Sequence, residues 1–310
     1  MKIKATTAFA IIFIIGVING EEDDYDTTID DDDESIIPFT HLCKFDQPMF
    51  NHSTTDDEDF CNCDVISSFE GQPGVKIDCE HSDHVTNLTN KVFQAQKLPV
   101  NTLTLILSYQ HFREVPEFVG DQLEQLDMSN NFITIVKISN FIRVTSLKHL
   151  DLSYNSIAEI EPQAFEQLQF LRHLDLTRNE LVVLPANIFQ PLISLETLKL
   201  SSNEGFGRIM GRDAHNSSLT SLYLHLAVTP KLKSISMERC NLSTINLRRG
   251  DGLLSVNLAF NNISDFSTVE LPENVESLDL SGNPVWEFTA KSLPHLAALR
   301  ELFMRVSFSC

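Results

Sequence analysis

The stretch "LKHLDLSYNSI" runs from Leu147 to Ile157, and 24 residues later the chain reads "LRHLDLTRNEL", from Leu171 to Leu181. A sentence repeated at a fixed step marks a structural unit repeated at that step. The shared pattern is Leu-x-x-Leu-x-Leu-x-x-Asn-x-Ile/Leu. It returns at Leu123, Leu126, Met128, Asn131 and Ile133, and at Leu195, Leu198, Leu200 and Asn203. A weaker copy holds Leu105, Leu107, Gln110 and Phe112. Later copies hold Leu232, Ile235, Met237, Cys240 and Leu242; Leu253, Val256, Leu258, Asn261 and Ile263; and Val275, Leu278, Leu280, Asn283 and Val285. The last has Leu299, Leu302 and Met304, with Ser307 at the Asn position, which makes about nine repeats from 98 to 310.

The Leu-x-Leu pair predicts a short strand with one buried face, because alternate side chains share a face. The Asn stands where the strand ends and the chain turns, and a buried amide can pair backbone groups that a turn leaves open. Stacked copies would form an asparagine ladder, in which Cys240 takes one place. Phe165, Leu168 and Leu171, then Phe189, Leu192 and Leu195, step by three and predict a helical or 3₁₀ segment on the outer side. One unit cannot cover its own apolar face, so neighbours stack into a solenoid.

These residues resemble the leucine-rich repeat family, in particular animal extracellular members of the Toll and chaoptin types. The resemblance covers roughly Leu98 to the end. It implies an α/β class solenoid, curved, with a parallel β-sheet on the concave face. One interval departs from the pattern: Leu198 and Ile235 lie 37 residues apart. The expectation is a single long repeat with an insertion near 205–221, including a helix capped by Ser218.

The opening residues, 1–20, read as a signal peptide. Lys2 and Lys4 precede the apolar run Ala8–Ile18, and Gly20 offers a small residue for cleavage. That run is short for a membrane span, and no later stretch is longer, so the mature chain is not expected to cross a membrane. Residues 21–42 read as an acidic disordered tail and 43–97 as a cysteine-containing N-terminal cap region.

Cys43, Cys61, Cys63 and Cys79 cluster ahead of the first repeat. They resemble the cap of extracellular leucine-rich repeat proteins, which implies the pairs Cys43–Cys63 and Cys61–Cys79. Four cysteines allow three connectivities. A zinc site with His81 and His84 is the rival reading. Sequons at Asn51, Asn87, Asn216, Asn241 and Asn262 fit an extracellular, glycosylated chain. Asn241 and Asn262 each follow a ladder position, so their side chains should point outward.

The formal charge is −20; without Lys2 and Lys4 it is −22. Ten acids fall within 21–34 and four within 56–59, and setting these aside leaves −8. Such a balance argues against nucleic acid, which needs a basic footprint. Tyr25, flanked by acids, resembles a tyrosine sulfation site.

No nucleophile elbow, zinc-protease helix or phosphate-binding glycine loop is present in the sequence. The expectation is a non-enzymatic chain needing no metal or cofactor, with an enzyme as a distant alternative. The positions flanking each buried strand residue should line the concave face. One column reads Thr104, Gln125, His149, His173, Thr197; the next reads Ile106, Asp127, Asp151, Asp175, Lys199. Tyr109, Tyr154, Arg178 and Phe260 precede ladder positions. An ordinary solvated sheet also carries polar columns. As a recognition surface, the face would centre on His149, Asp151, Tyr154, His173, Asp175 and Arg178. Arg249-Gly250-Asp251 resembles the integrin-binding tripeptide, or is a loop spacer.

The reading is a secreted protein that binds an extracellular protein ligand or co-receptor through its concave face, in matrix, adhesion or immune recognition. The alternative is a truncated ectodomain of a Toll-like or adhesion receptor. Because the chain stops inside a repeat, a partner chain covering that end, or pairing with Cys310, is also expected.

Overall fold

A computed structural model describes residues 61–68, 71–80, 98, 101–185, 187–206, 229–248, 250–285 and 296–305. Strands run in the order β1 (Asn62–Ser67), β2 (Pro73–Asp78), β3 (Thr102–Ile106), β4 (Gln125–Asp127), β5 (Ile135–Val136), β6 (His149–Asp151), β7 (Glu159–Ile160), β8 (His173–Asp175), β9 (Thr197–Lys199), β10 (Ser234–Ser236), β11 (Ile245–Asn246), β12 (Ser255–Asn257), β13 (Val269–Glu270), β14 (Ser277–Asp279) and β15 (Glu301–Phe303). Eleven of them form one sheet, β1-β2-β3-β4-β6-β8-β9-β10-β12-β14-β15. β1 and β2 are antiparallel, and every later pairing is parallel.

The register places Leu105, Leu126, Leu150, Leu174, Leu198, Ile235, Val256, Leu278 and Leu302 side by side. A parallel pair needs a long crossover between its strands, and here each crossover is one turn of the coil. From Leu126 to Leu278 these row residues are at most 2% exposed. The long interval leaves no rung between its ends, since Leu198 and Ile235 are direct neighbours. Residues 207–228, which hold most of the expected insertion, lie outside the described residues.

The turn after each strand is held by the ladder. Asn155 donates from Nδ2 to the carbonyls of Leu152 (3.1 Å) and Met128 (3.0 Å), and its Oδ1 accepts from the Ile133 amide (3.0 Å). Asn179 repeats this with Leu176, Leu152 and Ile157. Each amide therefore stitches its own turn to the repeat before it. At the Cys240 rung the thiol donates to the Leu200 carbonyl at 3.3 Å, and burial pushes its pKa up to about 12. It therefore stays a protonated donor.

The outer side holds less helix than a three-residue step suggests. Leu168 and Leu192 donate their amides to the carbonyls of Phe165 and Phe189, both at 3.0 Å, and Leu171 and Leu195 repeat this with Leu168 and Leu192. These are chained three-residue turns. Among the described residues 3₁₀ geometry is continuous at Ile138–Phe141 and Phe266–Thr268. Two-residue parallel pairs, β5 with β7 and β11 with β13, fill other outer positions. Phe118, Phe141, Phe165 and Phe189 are buried, and the Phe141 and Phe165 rings lie 6.1 Å apart. Apolar stacking thus holds the outer side together with these turns and short pairs.

Cys61 and Cys79 form a disulfide that joins the start of β1 to the end of β2. Both are buried, so the bond closes the first turn of the core. Cys43, His81 and His84 lie outside the described residues, and the thiols of Cys61 and Cys79 are taken up as disulfide sulfur. Cys61→Ser should lower stability by about 2–4 kcal/mol, as for a typical native disulfide. Thermal melting and secreted yield measure this, and unchanged values for both would contradict a structural role.

Candidate functional site: the concave face and its rim

In β4, β6, β8, β10, β12 and β14 the middle residue is buried and its two neighbours are half-buried. Parallel pairing stacks those neighbours into columns across the concave face. His149 and His173 are register partners, and their rings stack at 4.3 Å with 17° between planes. The columns from Thr104 to Thr197 and from Ile106 to Lys199 line a shallow cavity of about 350 Å³. Thr104 is buried at its near end.

The aspartates here have a structural task. Asp127, Asp151 and Asp175 each accept from the backbone amide two residues on, at 2.8, 2.9 and 2.9 Å. Asn257 and Asp279 do the same. This is the Asx turn that starts the bend towards the ladder. Asp175 keeps its second carboxylate oxygen for another partner: Lys199 binds Asp175 Oδ2 at 2.9 Å. Burial raises the Asp151 pKa, the Ser153 hydrogen bonds pull it back, and Asp175 and Asp127 add to the rise.

Burial, then the His173 ring and Arg172, hold His149 below its ordinary pKa of 6.5. Burial, with Arg172 and Lys199, does the same for His173 against the pull of Glu196. Both imidazoles are therefore neutral at pH 7. The unfolded chain takes up these protons first as pH falls through 6.5, so the folded state loses stability from there downward. The melting temperature should fall between pH 7 and pH 5, and the double variant His149→Gln, His173→Gln should flatten that fall. An unchanged slope would contradict the assignment. The raised pKa of Asp151 acts in the opposite sense, at lower pH.

Past each strand the sheet-like bonding continues to the residue before the ladder. The amides of Tyr154 and Arg178 both donate at 2.8 Å, to the carbonyls of Thr177 and Ser201 in the next repeat. Reaching the ladder from there requires left-handed backbone. Tyr109, Asn130, Tyr154, Arg178, Ser202, Arg239 and Phe260 all have φ between 54° and 59°, and Gly282 has 72°. Left-handed geometry costs a residue with a Cβ roughly 1–2 kcal/mol, and Asn and Gly tolerate it best. Tyr, Arg and Phe at this position gain little from burial: Tyr109, Tyr154 and Phe260 are 47–48% exposed. Instead they pair along the edge. Arg178 lies over the Tyr154 ring at 4.9 Å, and Arg239 lies over Phe260 at 4.7 Å. Gly282 leaves room for the Phe260 ring, which a Cβ there would meet at 2.6 Å. Sequence reasoning picked out Tyr154 and Arg178 but missed Arg239 and the cation–π pairing. The cue available was an arginine one repeat from an aromatic in the same phase.

The other candidates are dispersed. Asn241 and Asn262 are exposed just past the ladder. Asn51, Asn87, Asn216, Tyr25, Arg249 and Cys310 lie outside the described residues. Gly250 is buried, and a Cβ on it would meet the Leu253 side chain at 2.6 Å. The middle of the Arg249–Asp251 tripeptide is thus packed onto the outer coil, with Asp251 exposed beside it. Among the described residues no helix is long and apolar enough to cross a membrane, and no group of three or more metal-ligating side chains occurs.

The leucine rich repeat family profile matches residues 121–181. No curated protein matches the chain. Among solved structures, Drosophila Toll in its complex with Spatzle matches with a TM-score of 0.54 at 18% identity, over 70% of this chain and 28% of Toll. Human 5T4 (Wnt-activated inhibitory factor 1, trophoblast glycoprotein) matches with 0.52 at 21% identity, over 63% of this chain and 72% of that one. TLR13, solved with ssRNA13, gives 0.48 at 21%, over 70% and 31%. The chain spans less than a third of the Toll and TLR13 chains. The profile, the register and the shared architecture identify the fold as a leucine-rich-repeat solenoid opened by a disulfide-bonded strand pair.

Proposed function

We propose that this is a secreted, non-enzymatic leucine-rich-repeat protein that binds an extracellular protein ligand through its concave face. The observation that carries the reading is the cavity of about 350 Å³ spanning five consecutive rungs, with the stacked His149–His173 pair and Asp151, Asp175 and Lys199 on its floor. A rigid sheet holds these groups in place, so a partner binds them without first ordering them. Toll is solved with the protein Spatzle on the same fold, which makes a protein partner a natural occupant. The side chains on the floor serve charge and shape complementarity: the imidazoles are neutral, and no side chain among them is arranged as a nucleophile beside a base.

The test is affinity capture from extracellular fluid with the mature, glycosylated chain and two charge-changing variants. His173→Arg, on the concave face, should abolish specific capture. Glu166→Arg, exposed on the outer turns, should leave it intact. Loss in the outer variant with retention in the concave one would overturn the proposal.

A further inference from the structure

We infer that the rim beside the ladder is an anchor for an acidic side chain in an extended segment of a protein partner, bound by the Arg178 guanidinium on the Tyr154 ring. This rests on the reading that a protein docks on the concave face, and it names the chemistry of the contact.

The rim backbone is left-handed whichever residue occupies it, because Asn130, Ser202 and Gly282 also adopt positive φ, as Tyr154 and Arg178 do. The ladder therefore dictates the conformation but not these side chains. Neither is used by the core: Tyr154 is 47% exposed and Arg178 is exposed. Arg178 lies 4.9 Å over the Tyr154 ring, and among the described residues no carboxylate or carbonyl accepts from its N–H groups. Arg239, the same device two rungs on, is engaged by Glu238 at 3.2 Å as well as by Phe260. Lys199 and Lys148 are likewise held by Asp175 and Glu124.

A guanidinium over a ring is held by its charge and leaves its planar fork of donors to other partners. That fork matches a carboxylate bidentately. Its surroundings favour a carboxylate carried on a peptide over a free anion. One residue past the neighbouring ladder position, Phe132 is 54% exposed and stacks on His111 at 5.5 Å. On the two rungs before that of Tyr154, these rings offer further aromatic platforms along the same edge, as anchoring sites for protein ligands do. The same phase further along carries the exposed sequon residues Asn241 and Asn262. Glycans there would crowd the far rungs and leave the Tyr154–Arg178 stretch open.

The test uses the full glycosylated chain and two fluorescein-labelled decapeptides, one alternating Glu with Leu and one alternating Gln with Leu. Fluorescence anisotropy should show binding of the Glu peptide, weakening as salt rises, and at least tenfold weaker binding of the Gln peptide. Arg178→Gln and Arg178→Lys should each weaken the Glu peptide about tenfold, the second because it keeps the charge but loses the planar fork. Arg178→Asn suits left-handed backbone, so it should melt no lower than the natural chain and still lose the peptide. Equal binding of both peptides, or undiminished binding to Arg178→Asn, overturns the proposal. Ligand capture separates this from the wider reading. Capture lost in His173→Arg but kept in Arg178→Asn removes the rim anchor alone, and capture kept in both removes both.

Discussion

Leu174→Ala should lower stability by roughly 2–5 kcal/mol, the range for a large side chain removed from a core that cannot collapse around the gap. Leu174 is 1% exposed, with Leu150 and Leu198 as register partners on either side. Both neighbours are fixed by their own strands, so little relaxation is available. His173→Ala, one residue away and half-buried on the concave face, loses the stacking with His149 but opens no cavity. Its cost should be about 0.5 kcal/mol or less. Denaturant melts of the two variants measure the difference. Equal costs would place the strand register off by one, because a one-residue shift exchanges the two faces.

Asn179→Leu is expected to be as damaging, for a different reason. The side chain is 7% exposed and its amide bonds to the Leu176 and Leu152 carbonyls, both at 3.0 Å, while its Oδ1 accepts from the Ile157 amide at 2.9 Å. Leucine has similar bulk and no polar atoms, so those backbone groups are stranded in the core. A buried group left unpaired costs about 1–3 kcal/mol, and the total should be on the order of 3 kcal/mol or more. Thermal melting checks this, with Arg178→Asn as the control one residue away. If Asn179→Leu melts with the natural chain, the ladder does not hold the repeats together.

The strands and the ladder could be read from the sequence because they depend on period. Leu-x-Leu shows which side chains are buried, and the Asn three residues past the second Leu has one geometry that satisfies its turn. The His149–His173 neighbourhood was equally legible, since parallel register makes a residue and its copy one repeat later into neighbours. The outer side was less so. A three-residue apolar step suits both a 3₁₀ run and a chain of single turns, and only packing decides between them, here around Phe141, Phe165 and Phe189. The β5–β7 and β11–β13 pairs gave no signal, because two residues are too few to show a period.

The rim was half visible. Its side chains could be named from their phase, but left-handed backbone is announced in sequence by Gly or Asn, and Tyr154 and Arg178 give no such cue. Nor does sequence show whether an arginine is engaged by a nearby acid. Arg178 lies over a ring one repeat back, and among the described residues no ion pair joins it to Glu180, whereas Arg239 takes both a ring and Glu238.

Hydrogen–deuterium exchange of the glycosylated chain, alone and with a protein captured from extracellular fluid, tests the functional account most directly. The account predicts slowed exchange on binding at 149–154 and 173–178, where two successive rungs carry the histidines, the aspartates and the rim. It predicts no change at 161–170 on the outer turns. Protection confined to the outer turns, with 149–154 and 173–178 exchanging as in the free chain, would contradict it.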